Sequence, residues 1–202
     1  MALGAGTRRI EGTELRLSEP DQPESQLYDS LGRQFVARKF LASLGVAPGT
    51  YVFQDTSRGG RAGHGLLSKP DFTLVAIKPG RFERTLEVTT FEVKNRSGAN
   101  VASVYEVVAH GRVSHFPFLI CPRSKIDPAK IDAIRRESER KGIGLILFDI
   151  ELDGTGGFTT KHVRVDRMPE RGSPAISEVE KYLEGRLTPE NCARLEELAK
   201  GA

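Results

Sequence analysis

Apolar and polar positions along this chain follow two different periods, and the changes of period mark out its elements. From Pro23 to Leu44, "PESQLYDSLGRQFVARKFLASL" places Leu27, Leu31, Phe35, Phe40, Leu41 and Leu44 on one helical stripe. Pro23 occupies a first-turn position and Gly45 closes the run, so the spacing predicts a single helix over 23–44. "TYVFQDT" (50–56) reads as a strand, and the glycine-rich stretch after it as a loop. Two β-rich runs, "DFTLVAIK" and "TLEVTTFEVK", flank "PGRFER", whose Pro-Gly pair predicts a hairpin. "VASVYEVVAHGRVSH" (101–115) reads as a short helix. "FPFLICP" (116–122) and "GIGLILFDI" (142–150) are continuous apolar runs, the pattern of strands covered on both faces. Between them "PAKIDAIRRESERK" opens with Pro128 and stops at Gly142, a helix. "LDGTGGF" predicts a turn into a further strand, "TTKHVRV". Two helices close the chain, Ile176–Leu187 and Pro189–Ala199, the second with Thr188 as N-cap and Pro189 at its first position.

This order predicts an α/β fold with a central mixed sheet flanked by helices. It also suggests three stretches: 1–22, of doubtful order; a core over 23–150; and a C-terminal hairpin with helices over 151–202.

Composition narrows the class. The chain has 202 residues, 38% hydrophobic and 28% charged, enough for one globular domain with an appended segment. No apolar run approaches the ~20 residues of a membrane span, and the arginines near the start precede no apolar stretch of the signal-peptide kind. Two cysteines, Cys121 and Cys192, make neither a disulfide framework nor a thiolate zinc site, which points to a reducing cytoplasm. The net charge of +3 is compatible with nucleic acid without being diagnostic of it. "IRRESERK" alternates sign and reads as a solvated helix face.

The hairpin holds the candidate chemistry. Pro70-Asp71 opens its first strand and Glu92-Val93-Lys94 closes its second. Strand side chains alternate, so Glu92 and Lys94 share a face and Val93 takes the other, and strand pairing can bring Asp71 beside them. Two carboxylates make a hard oxygen site for Mg²⁺ or Mn²⁺, with the Val93 carbonyl as a further ligand. A neighbouring lysine can orient or deprotonate a metal-bound water, or neutralise charge on a phosphate. The ordinary alternative is a cross-strand ion pair between Glu92 and Lys94 on the surface.

Pro70-Asp71, twenty residues, then Glu92-Val93-Lys94 resembles the signature of the PD-(D/E)xK nuclease superfamily. The element order over about 23–150 resembles its restriction-endonuclease-like αβββαβ core. The resemblance implies a metal-dependent DNA endonuclease in which Asp71 and Glu92 bind Mg²⁺ (or Mn²⁺) and Lys94 serves the attacking water. It also implies a metal-binding glutamate on the first helix, for which Glu24 is the choice; the alternative for Glu24 is a helix N-terminal acid. Arg58, Arg61, His64, Lys69, Asn95 and Arg96 are then the DNA-binding candidates, and Tyr105 and His110 the secondary candidates on the following helix. Tyr105 has the alternative of packing with its hydroxyl at the surface. The scattered histidines lack zinc spacing. The expected partner is double-stranded DNA, with a homodimer suggested by duplex symmetry. The rivals are a catalytically silent DNA-binding or scaffold module, and a nuclease for RNA or DNA junctions.

Overall fold

The computed structural model describes residues 23–57, 69–81, 83–152 and 158–201. Helices α1 (Ser25–Phe35) and α2 (Arg38–Ser43) precede strands β1 (Tyr51–Asp55), β2 (Phe72–Pro79) and β3 (Arg84–Val93). Then come α3 (Val101–His110), β4 (Phe116–Pro122), α4 (Pro128–Arg140), β5 (Gly144–Leu152), β6 (Phe158–Arg167), α5 (Ile176–Arg186) and α6 (Pro189–Lys200). The six strands form one curled mixed sheet in chain order, β1 to β6. β1–β2, β2–β3 and β5–β6 pair antiparallel, while β3–β4 and β4–β5 pair parallel through α3 and α4.

Both faces of the sheet are buried, and strand alternation sorts each side chain to its face. On one face α1 and α2 bury Leu27, Leu31, Phe35 and Phe40 against Phe72, Phe91, Phe118 and Phe148. On the other, α3 and α4 cover Leu119, Cys121, Leu145 and Leu147. The continuous apolar runs of β4 and β5 follow from this, since successive residues serve opposite layers. Gly144 is required where β5 meets β4, because a Cβ there would lie 2.4 Å from the Phe118 ring.

Two expectations change. The stripe from Pro23 to Leu44 is two helices, because Ala37 takes an extended conformation (φ −64°, ψ 133°). The break turns Phe40 back onto Phe35, with ring centroids 4.9 Å apart. A helical stripe does not register one extended residue when apolar residues resume after it. Pro23 also lies outside the first turn, with Glu24 at the N-cap.

The C-terminal elements belong to the same layers. β6 joins the sheet, and Ser30 on α1 hydrogen-bonds Thr160 on β6 at 2.7 Å. The helices α5 and α6 bury Val179, Leu183, Leu195 and Leu198 against Val52, Val75, Ile77 and Val88. Among the described residues no helix is long and apolar enough to cross a membrane.

Candidate active site

The site forms where the start of β2 lies beside the end of β3. Regular pairing ends at Phe72↔Phe91, and the Asp71 N–H extends it by one bond to the Phe91 carbonyl at 2.9 Å. From β1, the Thr56 and Ser57 N–H groups donate to the Asp71 carbonyl at 2.8 and 3.0 Å, and the Thr56 hydroxyl donates to the Pro70 carbonyl. Thr73 in turn meets the buried Tyr182 hydroxyl of α5 at 2.5 Å. The Pro70–Asp71 backbone is therefore held from both neighbouring strands.

Asp71 and Glu92 are 8% and 9% exposed, values that exclude a surface ion pair. The Tyr28 hydroxyl donates to Asp71 Oδ1 at 2.6 Å and the Val93 N–H to Oδ2 at 2.8 Å. Lys94 Nζ lies 2.7 Å from Glu92 Oε1 and 2.7 Å from Glu106 Oε2. Val93, between the two charged residues, packs in the α1-side core, as alternation predicts. His110 is 2% exposed, and its Nε2 is 3.6 Å from Glu92 Oε2, a contact too long for a hydrogen bond.

The electrostatics reflect this crowding. Burial pushes Asp71 up to about 6 against the lowering effect of its bonds from Tyr28 and Val93. Burial, followed by repulsion from Asp71, pushes Glu92 up to about 7 despite Lys94. Burial alone favours a neutral Lys94, but the Glu92 charge and the bonds to Glu106 and Glu92 override it and hold the ammonium well above the ordinary lysine range. Burial and the Lys94 charge drop His110 to about 4, so it stands beside Glu92 as a neutral imidazole. Burial and the bond to Asp71 raise the Tyr28 phenol.

Glu24 approaches from α1. As N-cap it makes no side-chain capping bond; its Oε1 instead lies 3.4 Å from the Asn95 N–H. Gly98 lines this approach, where a Cβ would lie 3.0 Å from both Glu24 Oε1 and Asn95 Oδ1. Among the described residues no group of three or more His, Cys, Asp or Glu side chains is arranged for a metal ion.

Of the remaining candidates, Lys69 is exposed two residues before Asp71, while Arg58, Arg61 and His64 lie outside the described residues. The Asn95 side chain organises the turn into α3, its Oδ1 accepting from the Gly98 N–H at 2.8 Å. The half-buried Arg96 gives its carbonyl to Lys130 at 3.4 Å. Tyr105 is 48% exposed and accepts a bond from Arg140 at 2.9 Å, so its hydroxyl faces α4 and solvent. His110, one helical turn and more along α3, does reach Glu92.

Sequence reasoning missed Tyr28 and Glu106. Tyr28 lies four residues after Glu24 and Glu106 four before His110, the spacing that puts two side chains on one helix face. That spacing was the available signal.

No family model matches the chain, and no curated protein matches it. Among solved structures, a protein of unknown function from Silicibacter pomeroyi is similar at 14% identity, with a TM-score of 0.47, covering 89% of this chain and 92% of that one.

Proposed function

We propose that this chain is a divalent-metal-dependent nuclease of the PD-(D/E)xK type, with a restriction-endonuclease-like core, hydrolysing phosphodiester bonds in double-stranded DNA. The observation that carries this reading is the meeting of Asp71 and Glu92, both buried and both pushed up in pKa, with a lysine ammonium bonded to one of them. Ionised together, two such carboxylates are held unfavourably, and a bound cation relieves both their repulsion and their desolvation.

The donor chemistry fits Mg²⁺ or Mn²⁺. Asp71, Glu92 and the Val93 carbonyl offer hard oxygen, and a two-carboxylate set suffices for an ion that keeps several waters. Glu24 is the further acid in reach of the same end of the sheet. When bound, the ion supplies an acidified water and stabilises the departing oxygen. The protein's own groups do the remaining work. Tyr28 and the Val93 N–H fix the Asp71 carboxylate from two sides. Lys94, held as an ammonium, orients the attacking water and stabilises phosphate oxygens; with its pKa raised it is poorly suited to remove a proton at neutral pH. His110 packs a neutral ring against Glu92 and limits water there.

A silent DNA-binding or scaffold module with the same fold is the second reading, favoured by the Lys94 ammonium 2.7 Å from Glu92, which already neutralises that carboxylate without a metal. A reducing cytoplasm and a homodimer matched to duplex symmetry complete the proposal.

The test is plasmid nicking with Mg²⁺ or Mn²⁺, beside EDTA and beside Lys94→Ala and Asp71→Ala. Nicking by wild type alone, lost with EDTA, supports the nuclease; cleavage persisting in both variants refutes the assignment. Duplex binding with no cleavage under any divalent ion supports the silent module, and a panel of labelled RNA and junction substrates separates the remaining rival.

A further inference from the structure

α3 sets Glu106 and His110, one turn apart, against the Glu92–Lys94 pair. One ammonium is thereby shared between two carboxylates, each 2.7 Å from Lys94 Nζ. Their surroundings differ. The Glu92 side chain is 12% exposed and the Glu106 side chain 53%. Glu106 can swing into water, where solvent replaces the ammonium, and an ion pair with one partner this wet is worth about a two- to fivefold factor. Glu92 has no comparable exit, and leaving it unpaired in its pocket costs far more. Of the two bonds, the one to the more exposed Glu106 is the easier to break, and breaking it frees an N–H of Lys94.

A phosphate oxygen has the charge and hydrogen-bonding capacity of the carboxylate oxygen it would replace there. We propose that Glu106 is a removable stand-in for the substrate phosphate, occupying Lys94 in the free protein and yielding it when a phosphodiester enters. The inference rests on the nuclease reading and deepens it by naming what the substrate must displace. Glu106 weakens binding, because its pair with Lys94 must break and its charge repels the polyanion. Once displaced, it takes no part in the reaction.

That assignment predicts a split between binding and turnover. In Glu106→Gln, KM for a labelled duplex and the Kd from fluorescence anisotropy in EDTA should fall about three- to tenfold, with kcat within about twofold of wild type. The gain should shrink to less than about twofold in a Lys94→Met background, where there is no ammonium to occupy and only the charge repulsion remains. Glu106 is half exposed on a helix, and matching circular dichroism and Tm will show that the variant is folded. A fall in kcat with KM unchanged would make Glu106 a fixed clamp on Lys94 and overturn the proposal. Unchanged KM and kcat, with wild type cutting normally, would also overturn it while leaving the nuclease reading intact. A wild type that neither binds nor cuts the duplex would overturn both.

Discussion

The most direct consequence of the charge arrangement is that replacing Glu92 by its neutral isostere should stabilise the metal-free protein, increasingly as pH rises from about 4.5 to 7. Glu92 is held at about 7 rather than 4.5, mainly by burial and then by Asp71. The folded state therefore binds this proton more tightly than the unfolded chain does. For a carboxyl shifted in that direction, stability is fully present below about 4.5 and is lost as pH rises through 7. Keeping the group ionised at pH 8 thus costs about 3 kcal/mol. Because the Glu92 side chain is only 12% exposed, solvent screening reduces that figure little. Glu92→Gln keeps the shape of the protonated acid and removes the cost. At pH 8 with EDTA, its Tm should exceed wild type by about 5–10 °C, and at about pH 4, below the unfolded value, the two should melt together. Differential scanning calorimetry from about pH 4 to 8 measures this. A variant less stable than wild type at pH 8, or a difference that does not change with pH, would refute the claim that the site holds a carboxylate against its preference.

Three other outcomes follow from the same geometry. Mg²⁺ should raise Tm more at pH 8 than at pH 5, because the cation competes with protons on Asp71 and Glu92; at one hundred times its Kd the gain is about 2.7 kcal/mol, and Asp71→Asn should abolish it in a thermal-shift titration. Tyr28→Phe deletes the bond that lowers the Asp71 pKa, so the acid limb of the kcat/KM profile should move to higher pH, with a stability loss of about 1 kcal/mol by urea unfolding. Gly144→Ala should cost about 1–3 kcal/mol by the same measurement, because its methyl would press on the Phe118 ring from 2.4 Å and the ring is fully buried.

Local pattern was a good guide wherever the partner of a residue was implied by the pattern itself. The runs of β4 and β5 had to be covered on both faces, since no alternation left a polar side. The Pro-Gly turn and the ends of the hairpin put Asp71 near Glu92 because antiparallel register follows from the turn. Thr188 and Pro189 marked the start of α6 through capping chemistry that needs only a few neighbouring residues.

The rest depended on distant segments. Whether Glu92 and Lys94 are a wet surface pair or a buried one is decided by α3 covering that side of the sheet, and nothing in "FEVK" records it. Tyr28 and Asp71 are 43 residues apart, so their bond exists only because α1 lies across the end of β2. Glu106 looks in sequence like an ordinary solvated helix residue, and it becomes the second partner of Lys94 only through the packing of α3. The sequence by itself determined most of the elements and the hairpin that brings Asp71 near Glu92, because these rest on short-range periodicity and turn geometry. The tertiary structure alone decided how dry those charges are and which groups share them, because desolvation and Coulomb interaction depend on distance through space and take no account of separation along the chain.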